Sequence, residues 1–301
     1  MFKKMLRKIW WDKNLRGFVW RNYSRVFPVA ATKTWYKMVM GCEVNLSNPK
    51  KLSEKLQYLK VNDYYHNSLV RQCADKYAVR EYVKSKGCSE ILNTLYAVYE
   101  STADINWEEV PESFVLKCNH GCGGNIICRD KSKLNKEDAV SKLNKWMKQE
   151  YGLEHVEFSY EGIPRKIICE KIIDTEDGQL PRDYKIFCSY GVPKLIYVIS
   201  DRKDTTENLD YFTPEWEWIP VRNGKLTNAG PDVKKPDNLQ TLLEYASKLS
   251  KDFPIVRVDL YNEFGKVIFG ELTFLPTGGC FKLDPPEYDR KFGDMFPIKQ
   301  S

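Results

Sequence analysis

The sequence predicts an α+β fold, with helices concentrated in the first half of the chain and antiparallel strand pairs in the second. Leucines repeat at helical spacing between residues 52 and 59. The apolar runs 183–189 and 193–200 flank a short turn containing glycine, which is typical of a hairpin. The runs 255–261 and 266–273 flank a second short turn and predict another hairpin.

Local signals place the remaining elements. A helix over 75–86 is ended by Gly87, and a helix over 136–151 is capped by Asn135. A third helix covers 237–252, with leucines on its inner side. Further strands are predicted at 114–117, 126–128 and 166–173.

Composition excludes several classes of protein. The chain has 301 residues, of which 42% are hydrophobic and 13% aromatic, so it is not a disordered protein. The net charge of +6 is too small to indicate nucleic-acid binding. Nine cysteines without a CxxC pair, and only three histidines, favour buried thiols over a zinc site. Without a long apolar run or a signal-peptide pattern, we expect a cytoplasmic protein.

Residues 1–37 form a strongly basic segment, with ten Lys/Arg against one acid and four of the eight tryptophans. Phe2, Leu6 and Ile9 recur at helical spacing, with bases between them. Such a helix suits the anionic inner face of a membrane, as a peripheral contact, or an acidic polymer. A contact with a glycosyltransferase complex is a further expectation for this segment. The alternative is that its aromatic side packs on the rest of the protein.

A glycine-rich hairpin is predicted between the strands 114–117 and 126–128. Its loop carries Gly121, Gly123 and Gly124, which let backbone N–H groups approach an anion, and Lys117 stands at its mouth. It is neither a P-loop nor a Rossmann turn, because a strand follows it. The alternative is a plain tight turn.

Two acids and an arginine are predicted to share one face of the last hairpin. Strand alternation places Arg257 and Asp259 on one face, and Glu271 and Thr273 on one face of the partner strand. Paired carboxylates suit Mg²⁺ bridging phosphates, and the alternative is a structural Arg–acid pair. Because close carboxylates repel, we expect Glu271→Gln to leave stability unchanged or raise it. The apolar segment 168–173 is a third piece, interpreted as a strand edge open to adenine or as an ordinary strand before an acidic loop.

In combination these pieces resemble the ATP-grasp superfamily, and more closely its TupA-like branch, which is linked to teichuronopeptide and other exopolysaccharide synthesis. The resemblance runs from about Asn45 to Phe292. It is carried by Glu54-Lys55-Leu56-Gln57, Asp75-Lys76-Tyr77-Ala78-Val79-Arg80, Val115-Leu116-Lys117-Cys118-Asn119-His120-Gly121, Asp183-Tyr184-Lys185, Arg257-Val258-Asp259-Leu260 and Glu271-Leu272-Thr273-Phe274. It implies two α+β subdomains that clasp ATP between antiparallel sheets. The predicted segments are an extension over 1–45, an N-terminal part over 46–112, the subdomain with the flap over 113–175 and the subdomain with the metal site over 176–301.

The resemblance also implies roles for the cofactors ATP and Mg²⁺. Lys76 and Lys117 would hold the α- and β-phosphates under a flap formed by Gly121, Gly123 and Gly124. Glu170 and the backbone of Lys171 to Ile173 would receive adenine, and Asp183 the ribose. Asp259 and Glu271 would bind the metal, and Arg257 would face the transferred phosphoryl group. Thr273 stands where the superfamily usually has Asn, so it is the third candidate ligand.

The implied reaction activates a carboxylate as an acyl phosphate, which an amine captures to form an amide. The implied substrates are a hexuronic acid of a capsular or secreted polysaccharide and an amino acid or small amine. Lys185, Arg202 and Thr277 are candidate substrate contacts, and the N–H of Gly278 is a candidate oxyanion donor. Two alternatives remain: a kinase that phosphorylates a sugar hydroxyl, and a non-catalytic polysaccharide-binding component.

Overall fold

The computed structural model describes residues 13–175, 178, 180–203 and 206–299, which form two antiparallel sheets with helices around them and a short strand pair. The helices are α1 (Lys13–Val26), α2 (Pro28–Met40), α3 (Leu52–Leu59), α4 (Ser68–Ala74), α5 (Val79–Ser85), α6 (Lys136–Met147), α7 (Tyr151–His155), α8 (Leu239–Ser250) and α9 (Tyr288–Met295). The strands are β1 (Leu95–Tyr99), β2 (Phe114–Cys118), β3 (Asn125–Cys128), β4 (Ile167–Glu170), β5 (Asp183–Ser189), β6 (Val192–Lys203), β7 (Thr206–Phe212), β8 (Trp218–Ile219), β9 (Arg222–Asn223), β10 (Val256–Glu263), β11 (Lys266–Thr273) and β12 (Leu283–Asp284). The predicted α+β class is confirmed.

The smaller sheet has the strand order β1-β4-β2-β3 and carries the glycine-rich loop between β2 and β3. Its apolar face packs against α6, where Phe114, Leu116, Leu143 and Ile167 are all fully buried. Strand β1 belongs to this sheet, so the sheet extends across the predicted boundary at residue 112.

The larger sheet has the strand order β11-β10-β5-β6-β7-β8. Helix α8 covers one of its faces, and its residues Leu242, Ala246 and Leu249 are fully buried there. Cys188 of β5 points to this helix, because its thiol lies 3.9 Å from the carbonyl of Ala246. Alternation along the strands therefore directs the odd-numbered residues of β5 and β10 to the opposite face.

Helix α3 is buried along its whole length and continues into a π-helical turn, Lys60–Tyr64. It packs against α9, where the hydroxyl of Ser53 donates to Asp289 at 2.5 Å. Ser53 and Asp289 are 236 positions apart in the chain, so this contact holds the two ends of the region 53–289 together.

Helices α1 and α2 pack on α7. The indole of Trp20 donates to the carbonyl of Glu154 at 3.1 Å, and Arg21 and Arg25 pair with Glu150 at 2.9 and 2.8 Å. Residues 13–37 of the basic segment thus pack on the rest of the protein, which is the alternative interpretation of its sequence. Trp10, Trp11 and the other residues of 1–12 lie outside the described residues. Among the described helices, none is long and apolar enough to cross a membrane.

Two helix predictions had the wrong bounds. The helix expected over 75–86 begins at Val79, because Asp75 uses its carboxylate to cap the turn, accepting from the amides of Tyr77 and Ala78 at 2.8 and 3.2 Å. The helix expected over 136–151 ends at Met147, and the chain restarts as α7. The cysteines are all free thiols, and seven of the nine are buried, as expected for small apolar residues.

Candidate nucleotide and metal site

A row of polar side chains crosses the face of the larger sheet that α8 leaves uncovered. The strand register pairs Glu271 with Asp259, Asp259 with Lys185, and Lys185 with Tyr197. A β-bulge at Gly270 lies beside this row, and a Cβ there would be 2.9 Å from the carbonyl oxygen of Asp259. The two acids of the predicted hairpin therefore face each other, and the bulge is what brings them together, because an unbroken register would pair Asp259 with Gly270.

Arg257 is held by four side-chain hydrogen bonds. Its Nε and Nη2 donate to the two carboxylate oxygens of Asp259 at 2.6 and 2.5 Å, which is bidentate geometry. Its Nη1 donates to the hydroxyl of Tyr197 at 2.5 Å, and its Nη2 also donates to Thr273 at 3.0 Å. The guanidinium is buried, so in this arrangement it orients Asp259 and does not project toward a ligand.

Lys185 lies between two aspartates. Its Nζ is 2.7 Å from Asp183 and 2.6 Å from Asp259, and its side chain is only 10% exposed. From the sequence, Lys185 is predicted to contact an acidic sugar. The structure differs, because the two buried carboxylates already neutralise the ammonium group.

Glu271 is the acid of the row that is most open to solvent, with 35% of its side chain exposed. Burial raises the pKa of Glu271, but the charges of Lys76, Lys185 and Arg257 outweigh burial and lower the pKa to about 2. The nearest charges are cations, since Arg257 lies 3.6 Å and Lys76 3.9 Å from its oxygens. The expectation that Glu271→Gln relieves a repulsion is therefore wrong.

The side chains around Glu271 can be compared with the ligands that Mg²⁺ needs. Mg²⁺ commonly takes one or two protein carboxylates and completes its shell with phosphates and water. Glu271 fits this use, whereas both oxygens of Asp259 already accept from Arg257. The hydroxyl of Thr273 donates to Glu271 at 3.1 Å and so orients the candidate ligand. The described residues contain no cluster of three His, Cys, Asp or Glu that could hold a metal alone.

The glycine-rich loop lies next to this row. The Nζ of Lys76 donates to the carbonyl of Gly121 at 2.5 Å, and this same nitrogen is the one near Glu271. Gly121 has a φ of +95°, and a Cβ there would lie 2.7 Å from the ring of Tyr151. Gly123 and Gly124 also have positive φ values. Lys76 thus connects the loop of the smaller sheet to the acids of the larger sheet.

Lys117 is paired with Glu170. The distance between Lys117 Nζ and Glu170 Oε2 is 2.8 Å, and Arg80 lies 3.6 Å from the other carboxylate oxygen. The two residues that the sequence analysis assigned to phosphate and to adenine are therefore adjacent.

The segment after Glu170 differs from the predicted strand edge. Strand β4 lies between β1 and β2, so its ladder is used on both sides. The amide of Lys171 donates to the carbonyl of Thr94 at 2.9 Å, and its own carbonyl accepts from Asn93 at 2.8 Å. In the described part of the chain, the backbone of Ile172 and Ile173 has no hydrogen-bond partner, so the open edge begins there.

The turn after β11 also differs from its prediction. The N–H of Gly278 donates to the carbonyl of Leu275 at 2.9 Å, and Thr277 Oγ1 lies 2.7 Å from the carbonyl of Pro276. The N–H of Gly278 is thus not free to stabilise an oxyanion. The turn instead presents the carbonyl of Gly278, which accepts from Gln57 at 2.9 Å. The side chain of Arg202 lies outside the described residues.

Four residues near the site received no role in the sequence analysis. Asn119 is fully buried and donates to Asp75 and Pro164 at 2.9 and 2.8 Å, which fixes the root of the loop. The position of Asn119 inside the glycine-rich motif could have indicated this role from the sequence. Arg80 ends the motif that begins at Asp75, whereas Lys60 and Glu157 stand in no motif and their positions follow only from tertiary contacts.

Several solved structures are similar to this chain. An L-amino acid ligase from Bacillus licheniformis is 15% identical (TM-score 0.42), with 90% of this chain and 57% of that chain covered. A D-alanine–D-alanine ligase from Bacillus anthracis, complexed with ATP, is 17% identical (TM-score 0.42), with coverages of 74% and 63%. An N5-carboxyaminoimidazole synthase from Aspergillus clavatus is 12% identical (TM-score 0.41), with coverages of 69% and 46%. The chain thus spans less than two thirds of each of these proteins. No curated protein matches it.

The family comparison covers most of the chain. The family model described as TupA-like ATPgrasp matches residues 54–297, from the buried helix α3 to just past helix α9. This range includes both sheets, the glycine-rich loop and the polar row. The chain therefore belongs to the TupA-like ATP-grasp family.

Proposed function

We propose that this protein is an ATP- and Mg²⁺-dependent carboxylate–amine ligase. It activates the carboxylate of a hexuronic acid, in a capsular or secreted polysaccharide, as an acyl phosphate. An amino acid or small amine then attacks this intermediate and forms an amide. Family membership supports the use of ATP, and the polysaccharide substrate rests on the branch of the family.

The observation that carries the proposal is the position of Lys76. Its ammonium group lies between the glycine-rich loop and Glu271, so a cation, the loop backbone and an acid converge on one place. A triphosphate with its metal needs this combination of groups, because positioning and charge neutralisation supply most of the catalysis in phosphoryl transfer.

The other residues take roles around that point. Lys76 and Lys117 bind phosphates beneath the loop, and Glu170 with the open backbone of Ile172 and Ile173 receives adenine. Asp183 faces the ribose. Glu271 would be the metal ligand, with Asp259 held beside it by Arg257 and Lys185, and a bound Mg²⁺ would neutralise the charge that develops on the phosphates. Arg257, Lys185 and Thr273 act as positioning residues, because each is hydrogen-bonded to one of these acids.

The test measures products from glucuronic acid, Mg·ATP and a pool of amino acids and small amines. A ligase releases both ADP and phosphate, a sugar kinase releases ADP alone, and a non-catalytic binding component releases neither. Hydroxylamine replaces the amine in a second assay, where an acyl phosphate gives a hydroxamate. The absence of hydroxamate and of amide by mass spectrometry, across a panel of uronic acids, would overturn the proposal.

A peripheral membrane contact at the cytoplasmic face is the second part of the proposal. Helices α1 and α2, with the residue that joins them, expose six large apolar side chains: Phe18, Val19, Val26, Phe27, Val29 and Met38. Residues 1–37 also carry a net charge of +9, from ten bases and one acid. Apolar side chains beside bases are the combination that binds an anionic bilayer surface.

A further inference from the structure

Most buried charged side chains in the described residues have close partners. Lys55 donates to the carbonyls of Gly293 and Phe296 at 2.7 and 2.8 Å. Asp289 accepts from the amide and the hydroxyl of Ser53 at 2.9 and 2.5 Å. These contacts satisfy groups whose burial would otherwise be costly.

Lys60 and Glu157 are exceptions, although both are buried. Lys60 is 1% exposed, and its ammonium group makes one long hydrogen bond, 3.4 Å to the carbonyl of Gly278. Glu157 is 8% exposed, and its carboxylate makes one long hydrogen bond, 3.5 Å from the hydroxyl of Tyr151. Among the described residues, no ion pair joins the two. The turn that begins at Lys60 packs against the turn that follows Glu157, so a buried ammonium and a buried carboxylate lie on adjoining segments without satisfying each other.

The pKa values show that the two groups sense each other. Burial lowers the pKa of Lys60 to about 8, and Glu157 opposes this shift. Burial raises the pKa of Glu157 to about 7, and Lys60 is the main opposing charge. The two charges attract each other without forming an ion pair, so a group that carries both opposite charges would pair with each of them.

Both charged groups lie beside the candidate site. Tyr151, the partner of Glu157, packs against Gly121 of the loop, and Glu271 is among the charges that act on Glu157. Lys60 contacts the Gly278 carbonyl in the turn that follows β11. A molecule between them would therefore lie under the loop and next to Glu271.

The backbone is strained at both ends of this region. Val156 has a φ of +57° and Thr277 a φ of +52°, and they are the two β-branched residues with positive φ among those described. Each precedes a residue whose polar group faces the region, Glu157 or Gly278. This conformation costs on the order of 1–3 kcal/mol for such residues and recurs at ligand sites. Lys60 also begins a π-helical turn, another feature common at functional sites.

We propose that Lys60 and Glu157 bind the zwitterion of an α-amino acid, the amine substrate of the ligase. Lys60 pairs with the substrate carboxylate, and Glu157 accepts hydrogen bonds from the substrate ammonium group. The identification of this molecule as the second substrate rests on the proposed function, whereas its binding does not.

The chemical step balances with these groups. Glu157 takes one proton from the ammonium group, which leaves a neutral amine with a free electron pair. The amine nitrogen forms a bond to the acyl carbon, the bond from that carbon to the phosphate oxygen breaks, and phosphate leaves with the electron pair. The nitrogen then passes its extra proton to the departing phosphate, which gives an amide and inorganic phosphate.

Binding is tested by calorimetry with Mg·ADP present, using the natural L-amino acids as probes. For any amino acid that binds, the matched amine without the carboxylate and the matched acid without the amine are also titrated. We expect wild type to bind an amino acid at least about tenfold more tightly than either analogue, since each lacks one charge. Lys60→Met and Glu157→Gln should each remove this preference.

Lys55→Met is the matched control, because Lys55 is also a buried lysine and lies only five residues before Lys60. It should lower the melting temperature but leave amino-acid affinity unchanged. Melting curves identify any variant that fails to fold, and at least one of Lys60→Met and Glu157→Gln must be folded for the comparison. If folding fails in both, Lys60→Gln and Glu157→Leu replace them, because these changes also remove the charge, and the same loss of preference is expected.

The outcomes separate this inference from the proposed function. If wild type binds no amino acid of the panel, or binds one equally well in both folded variants, the inference is wrong. Amide formation that persists unchanged in both variants would also reject the site while supporting the ligase. Binding that depends on Lys60 without any amide or hydroxamate would keep the site and reject the ligase. Hydroxamate formation should survive in Glu157→Gln, because hydroxylamine is uncharged at neutral pH and needs no base.

Discussion

Replacing Glu271 by Gln removes one charge from the candidate metal site and keeps the shape of the side chain. Its neighbours determine what this does to stability. Lys76 and Arg257 lie 3.9 and 3.6 Å from the carboxylate, and Thr273 donates a hydrogen bond that Gln retains. The variant therefore loses attraction to two cations, and we expect it to be less stable than wild type without nucleotide.

The size of the effect follows from the pKa. Lowering the pKa from 4.5 to about 2 corresponds to about 3 kcal/mol of favourable interaction with the ionised form. Because 35% of the side chain is exposed, solvent screening reduces the expected loss to about 1 kcal/mol. A lowered pKa stabilises the folded state above the unfolded pKa, and this stabilisation is lost as the pH falls toward 2. The difference in unfolding free energy between variant and wild type should thus have its largest value near pH 7 and shrink below about pH 4.5.

Urea denaturation, followed by tryptophan fluorescence at several pH values, measures this difference. Glu43→Gln serves as the control, since Glu43 pairs with Lys37 at a site where both side chains are more than 60% exposed, and its loss should be near zero. Turnover by Glu271→Gln should fall by a factor on the order of 10², and the melting shift with Mg·ATP should shrink. A variant as stable as wild type at neutral pH, or one with undiminished turnover, would refute the reasoning.

Three further substitutions or truncations give separate checks. Lys117→Ala should weaken ATP binding at least about tenfold in calorimetry and cost only about 1 kcal/mol of stability, because Arg80 still pairs with Glu170; unchanged affinity would exclude Lys117 as a phosphate ligand. Gly121→Ala should reduce ATP affinity and melting temperature together, since a methyl group would lie 2.7 Å from the ring of Tyr151; a fully stable variant would contradict the loop geometry. The full chain should sediment with anionic vesicles in a salt-sensitive way, because charges are screened within about 10 Å at 0.1 M salt, and a chain lacking residues 1–37 should not; equal sedimentation of both would remove the membrane contact.

Local pattern predicted most of the parts of the site that lie within one hairpin. Asp259 and Glu271 lie on consecutive strands, and alternation gives each acid its face, but the β-bulge at Gly270 is what makes the two faces coincide. The glycine-rich loop is equally local, since β2 and β3 pair directly across it.

Sequence pattern failed where the partner comes from a distant part of the chain. Lys185 has the same strand parity as Asp183, but its second carboxylate comes from β10, 74 residues later. The segment 168–173 is interpreted from the sequence as a strand edge, yet the non-sequential order β1-β4-β2 places β4 inside the sheet. Lys60 and Glu157 are almost a hundred residues apart on irregular segments, so no periodicity relates them.

The polar row on the larger sheet has a consequence for how substitutions combine. Glu271, Asp259, Lys185 and Tyr197 follow each other in register, and Arg257 bonds to two of them. Residues that share partners in this way are energetically coupled, by about 0.5–3 kcal/mol in comparable pairs. The effects of single changes along the row will therefore not add. The combined effect of two changes on neighbouring strands of the row therefore has to be measured in the double variant itself.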